Sequence, residues 1–153
     1  MNKKDIIQII SNVEAQIDKS IFKDDDNKGI GCNQFRELAD ICNSAECYEE
    51  VELLVRYNEA KDCPKPNKLP KSWNHFMKDG RTTFADIVIS CMEKIKAQSD
   101  ENSCLENLSL FFGYFYWNSR IWATENSMQS NGGSYKNYNK KNDNNYNKKK
   151  RGT

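Results

Sequence analysis

Histidine occurs once in this chain, at His75, and the three prolines are confined to Pro64, Pro66 and Pro70. A lone histidine excludes the paired-imidazole metalloprotease pattern H-E-x-x-H. It also leaves the Arg-then-His signature of helical RNA-cleaving enzymes unmet, because Leu69, Pro70 and Lys71 are the residues at the required spacing before it. No phosphate-cradling G-x-x-x-x-G-K and no G-x-G-x-x-G is present. The six cysteines, Cys32, Cys42, Cys47, Cys63, Cys91 and Cys104, form no C-x-x-C pair, which argues against zinc. Cys42 and Cys91 instead fall on apolar helix faces, as small buried hydrophobes in a reducing compartment would. Asp24, Asp25 and Asp26 lie in a glycine-containing loop without the further carboxylates of a calcium loop, so a solvated turn is expected. No cofactor, metal or catalytic group is predicted.

Long apolar runs are missing too. Nothing approaches the roughly 18 residues of a membrane span, and MNKKDIIQII has no continuous apolar segment leading to a cleavage site. A cytoplasmic protein with no membrane partner is expected. Strand-like alternation, hairpin dipeptides between apolar segments and internal repeats are likewise absent.

Charge is scarce in sum and uneven in place. The chain carries 23 Lys and Arg against 22 Asp and Glu, a net charge of +1. From Gly132 to Thr153, however, seven basic residues face the single Asp143, net +6, which leaves the preceding residues at −5. From about Ser127 the chain is nearly all Asn, Lys, Gly, Ser and Tyr, too poor in apolar surface to offset the entropy of ordering. A disordered basic tail over 127–153 is predicted, following a helical bundle over 1–126. Its lysines, with Tyr135, Tyr138 and Tyr146 interleaved, suit either non-specific nucleic-acid binding or plain solubilisation.

What is abundant is helical spacing. Ile6, Ile10, Val13, Ile17 and Ile21 mark a first helix from Asp5 to Phe22. Asn33 is the expected cap of a helix from Gln34 to Asn43 that buries Phe35, Leu38, Ala39 and Cys42. A third helix spans Tyr48 to Lys61. CPKPNKLP makes a stiff extended connection, followed by a short helix over Lys71 to Lys78 that presents Trp73, Phe76 and Met77. Thr82 or Thr83 caps the next, with Phe84, Ile87, Val88, Cys91 and Ile95 on its inner face. The last helix, Leu105 to Ala123, opens on a capping-box pattern, Ser103 with Glu106. It is apolar over far more than one stripe, so it needs partners on several sides, and Gly113 within it requires a close neighbour to offset its helix cost. The fold class is all-α, a compact bundle of five or six helices with a disordered C-terminal tail.

Three segments carry a family resemblance. Ile30, Gly31, Cys32, Asn33, Gln34, Phe35, Arg36, Glu37 and Leu38 form a loop passing into a helix that opens polar, apolar, arginine. VELLVRYNEAKD mixes apolar and basic residues and ends in Tyr57, Glu59 and Ala60, with Lys61 and Asp62 where glycine and arginine would complete the pattern. FFGYFYWNSRIW is an aromatic-rich last helix with a late basic residue, Arg120. In this order they resemble the small subunit, Csm type, of type III CRISPR effector complexes; CPKPNKLP and the long tail do not.

The resemblance implies a protein without enzymatic activity, several copies of which stack head to tail beside backbone and large subunits. These copies would line a groove that holds guide RNA paired with target RNA. Contacts would go to phosphates and sugars, because base pairing already reads the sequence. Gln34, Arg36, Arg56, Lys61, Arg81 and Arg120 are the candidate RNA-binding residues, Arg36 foremost because its motif matches. Each has a structural alternative: Arg56 and Arg120 could snorkel past aromatics or pair with a glutamate of the same bundle. A body of −5 suits a subunit held in place by neighbours better than an autonomous RNA binder. Two other readings stay open: a protein-interaction module of another defence or phage system, docking through Trp73, Tyr114 and Trp117 without RNA, and a tail-driven single-strand binder.

Overall fold

Helix formation begins two residues earlier than the spacing predicts. In the computed structural model, which describes residues 1–23, 30–61 and 73–150, with side chains to residue 129, α1 spans Lys3–Glu14. Asn2 and Asp5 close a capping box at its start, each side chain accepting the other's backbone N–H at 2.9 Å. Ile6, Ile9, Ile10 and Val13 are buried. The helix does not run on to Phe22. It stops after Glu14, and Asp18 caps a separate 3-10 turn, Lys19–Ile21, by accepting from the Ser20 N–H at 3.1 Å. The change of path is driven by packing: Ile17, Ile21 and Phe22 all reach the core, and a straight helix is not the route that puts Phe22 among the other rings.

Strands, unexpected from the sequence, occur as one minimal pair. Phe22–Lys23 (β1) and Ile30–Gly31 (β2) run parallel, Phe22 beside Ile30 and Lys23 beside Gly31. The loop between them, with Asp24, Asp25 and Asp26, lies outside the described residues.

α2 spans Asn33–Ser44 and buries Phe35, Leu38 and Cys42; Ala39 is half-buried. Asn33 is therefore the first helical residue and not the cap, because buried Cys32 already has helical backbone angles and its carbonyl accepts from Phe35 N–H. α3 is Tyr48–Lys61, as expected. CPKPNKLP lies outside the described residues.

From Trp73 the chain is extended rather than helical. Phe76 pairs antiparallel with Thr83, Met77 N–H donates to the Thr82 carbonyl, and Ala85 N–H donates to that of Trp73. Asp79 holds the turn by accepting from the N–H groups of Arg81 and Thr82, each at 2.9 Å, and Gly80 takes the left-handed φ of 69° that the turn needs. Folding back this way buries Trp73 completely and leaves Phe76 exposed.

Thr83 caps α4, Phe84–Gln98, in a capping box with Asp86, and Phe84, Ile87, Val88, Cys91 and Ile95 are buried as the spacing requires. Burial pushes the Cys42 thiol up to about 12 and the Cys91 thiol up to about 11, so both stay protonated near neutrality. α5 begins at Cys104 and continues to Lys150. Its first turn is fixed by Asp100, which accepts the Ser103 N–H at 2.8 Å, while the Ser103 hydroxyl turns back to the Asp100 carbonyl. The disorder expected from residue 127 falls mainly on positions whose side chains lie outside the described residues.

α5 is the spine of this five-helix bundle, lying along α2 and against α1, α4 and the 3-10 turn. Its inward residues are Cys104, Leu108, Phe111, Phe112, Phe115, Ser119, Trp122 and Ala123. Phe115 sits at the centre, with ring centroids of Phe35 at 4.8 Å, Trp122 at 5.7 Å, Phe84 at 5.9 Å and Phe22 at 6.2 Å. The Asn126 amide donates to the carbonyls of Lys19 at 2.8 Å and Phe22 at 3.2 Å, fastening the 3-10 turn to α5. Replacing Phe115 with Ala removes the ring that joins four elements, and is expected to cost about 4 kcal/mol of unfolding free energy in urea titration. A loss below about 1 kcal/mol would mean that the cluster is not the centre of the fold.

Candidate binding face of the last helix

The six sequence-predicted contact residues do not converge on one patch. Arg56 is held inside the bundle's own charge network: its guanidinium lies 2.8 Å from Glu59 and 2.8 Å from Asp86, tying α3 to the start of α4. The Thr83 hydroxyl donates to Glu59 at 2.9 Å and completes the cluster. The Asp86 and Glu59 hydrogen bonds raise the Arg56 pKa further. Burial works against the charge of Asp86, but hydrogen bonds from Arg56 and Thr83 outweigh it and hold that carboxyl below its ordinary value. The alternative role foreseen for Arg56, pairing with a glutamate of its own bundle, is the one the geometry shows.

Gln34 faces inward, its side-chain oxygen accepting from the Trp73 indole N–H at 2.7 Å. This bond also removes Trp73 from the set of exposed anchors. Lys61 is exposed at the end of α3 with its ammonium 5.9 Å from the Tyr57 ring. Arg81 is exposed in the Asp79–Thr82 turn, and Arg120 on the outer side of α5. Arg36 lines a cavity.

That cavity is an open groove of about 310 Å³ between α2 and α5, lined by Arg36, Ser109, Leu110, Gly113, Tyr114, Tyr116 and Trp117. Ser109 sets its floor by donating to the Ala39 carbonyl at 2.9 Å, which holds the two helices together. Gly113 keeps it open. A Cβ built there meets nothing within 4 Å, so the close neighbour expected for this glycine is not found among the described residues. The helix bears the roughly 1 kcal/mol cost of glycine at a position where the described residues supply no packing in return. Tyr114 and Trp117 stand together with centroids 5.6 Å apart. Arg36 makes no ion pair or side-chain hydrogen bond among the described residues, is exposed, and lines this groove together with Tyr114 and Trp117.

The groove opens onto a larger feature that sequence reasoning found only in part. Leu110 and Tyr114 are half-buried, but Trp117 is 63% exposed, Ile121 55% and Met128 70%. These residues lie on the side of α5 opposite Leu108, Phe112, Phe115 and Trp122. The signal was present in the sequence as a second three-and-four spacing interleaved with the first, and a helix apolar on two sides is what that spacing means.

Cys32, Cys42, Cys91 and Cys104 are buried and Cys47 is exposed, all with free thiols; Cys63 lies outside the described residues. Among the described residues no three His, Cys, Asp or Glu side chains are grouped to hold a metal, and no helix is long and apolar enough to cross a membrane. Comparison with protein-family models, curated proteins and solved structures finds no match for this chain.

The Arg56 network yields a pH-dependent prediction. A carboxyl held below its unfolded value stabilises the fold above that value, and the contribution is lost as pH falls through the folded one. Arg56→Met is therefore expected to lower stability by about 1 kcal/mol or less at pH 7 in chemical denaturation, discounted for solvent screening. The difference from the parent should shrink as the pH falls through and below the ordinary aspartate range, as Asp86 becomes protonated. An equal difference at neutral and acid pH would show that Arg56 acts through packing alone.

Proposed function

We propose that this chain is a non-catalytic small subunit of a type III CRISPR ribonucleoprotein, placed in several copies along the guide RNA/target RNA duplex in the cytoplasm. Its contacts go to the duplex backbone without reading sequence. Backbone and large subunits of the effector complex, together with further copies of the chain, are its protein partners. The motif resemblance supplies the family, and one observation carries the contact: Arg36 stands at the matching motif position, exposed and unpaired among the described residues, beside an aromatic groove.

The contact set is narrower than the motif implies. Arg56 is committed to Glu59 and Asp86, and Gln34 to Trp73, so neither is free to reach a phosphate without undoing an internal bond. Arg36, Lys61 and Arg81 remain, exposed on α2, at the end of α3 and in the turn before α4. A dispersed set of cations on a body of net charge −5 binds weakly alone and works when neighbours hold it against the duplex.

A second reading, a protein-interaction module without RNA, is favoured by the exposed row of Trp117, Ile121 and Met128 on α5. The two readings separate on one experiment. Full-length chain expressed in its native host is purified with whatever assembles around it, irradiated to crosslink protein to RNA, and compared with Arg36→Glu. The proposal expects nuclease-protected RNA crosslinked to the parent, and a several-fold drop in that yield for the variant with the protein partners retained. Partners without RNA, or undiminished crosslinking of Arg36→Glu, would contradict it.

A further inference from the structure

The groove beside Arg36 takes its form from the way α2 and α5 lie together. Phe35 meets Phe115 with ring centroids 4.8 Å apart, and the Ser109 hydroxyl reaches the Ala39 carbonyl at 2.9 Å, so the two helices run antiparallel and Arg36 falls level with Gly113. A side chain at position 113 would enter the groove. None is there, and a Cβ built on Gly113 meets nothing within 4 Å. Leu110, Gly113, Tyr114 and Trp117 share one stripe of α5, three or four residues apart around the helix. Leu110 and Tyr114 are half-buried, packed on the core with part of their surface and lining the groove with the rest, while Trp117 is 63% exposed.

This lining sets the chemistry of a ligand. The rings of Tyr114 and Trp117, 5.6 Å apart and inclined at 57°, cannot both lie flat on one planar group. One stacks on its face and the other meets its edge, the two arrangements that aromatic systems favour. A volume of about 310 Å³ stands at the small end of ligand sites, enough for one flat ring system and too little for a helix. Arg36 is the one charged group among the described residues that line the groove, and it makes no ion pair or side-chain hydrogen bond among them. Its ligand therefore carries negative charge, and the planar guanidinium suits a phosphate. A base with a phosphate one sugar away meets both demands. Within a duplex the faces of a base are covered by its neighbours, whereas an unpaired base offers them.

We infer that this groove binds one unpaired nucleotide of an RNA strand, its base stacked on Tyr114 or Trp117 beside Gly113 and its phosphate held by Arg36. The inference rests on the RNA contact proposed above for Arg36 and goes beyond it, since a contact with duplex phosphates leaves the aromatic rim unused. Stacking tolerates any base, so the site adds affinity for unpaired RNA without reading sequence.

The test irradiates the native assembly to join bases to the rings they touch, digests it, and maps the adducts by mass spectrometry. RNA adducts are expected on Tyr114 or Trp117. Gly113→Leu, which fills the groove, should lower their yield per RNA recovered roughly tenfold. Leucine is the better helix former and has open space here, so circular dichroism should keep the parent helical signal. A second reading uses the full-length, nuclease-treated protein at low salt. Titrating single-stranded RNA should quench emission that Trp117→Phe removes, Trp73 and Trp122 being buried, and the same strand annealed to its complement should quench several-fold less. Adducts confined to other parts of the chain, with paired and unpaired RNA equally effective in the titration, would overturn the inference and leave the RNA contact of Arg36 standing. An assembly that yields no RNA would overturn both. A protein partner crosslinked to Trp117 in place of RNA would show the groove to be a protein-docking site and would overturn the inference alone.

Discussion

Everything in this protein is positioned by one aromatic contact centre, the ring of Phe115 wedged among Phe22, Phe35, Phe84 and Trp122. Those five rings come from β1, α2, α4 and α5, and Trp73 reaches the same cluster by packing on Phe35 and Phe84 at 5.7 and 5.2 Å. A chain with only 37% hydrophobic residues builds its core economically, by concentrating large rings where four elements meet. The requirement that Phe22 join them explains why α1 breaks after Glu14. The requirement that Trp73 join them explains why the segment after it folds back as an extended turn. Once α5 is fixed by Phe115, its opposite side is fixed too, facing outward with Trp117 and Ile121.

Much of the fold was legible because three of the five helices have strong periodic faces and recognisable starts. Thr83 with Asp86 is a capping box both in sequence and in structure, and the burial of Phe84, Ile87, Val88, Cys91 and Ile95 follows from spacing alone. Where the reading failed, a tertiary demand overrode a local one. Ile17 and Ile21 continue the apolar spacing of α1, yet they reach the core from a turn; spacing reports burial and not the path of the backbone. Trp73, Phe76 and Met77 suggested a helix face, but the pairing of Met77 with Thr82 and of Phe76 with Thr83 depends on partners that follow in the sequence. Asn33 looked like a cap because Cys32 cannot be seen to be helical from its residue type.

The candidate site was legible in parts for a similar reason. Charged residues advertise themselves, so Arg36 and Arg56 were equally visible in the sequence. Only their surroundings distinguish them: Arg56 has Glu59 from its own helix and Asp86 thirty residues away, whereas Arg36 faces a groove. Gly113 was noticed as costly, and the structure changes its meaning from close packing within the chain to open space beside it. The exposed row of α5 was masked by its own neighbours, since eleven aromatic or branched aliphatic residues between Leu105 and Trp122 do not reveal which of them the bundle leaves uncovered.

The central claim is that α5 has two apolar sides, one spent on the core and one reserved for another molecule. Oxidative footprinting with mass spectrometry tests it most directly, comparing the dilute isolated chain with the same chain in its native assembly. The account predicts that Trp73 and Trp122 are protected in both samples, while Trp117, Ile121 and Met128 are modified in the isolated chain and protected in the assembly. Equal modification of Trp117, Ile121 and Met128 in the two samples would contradict it.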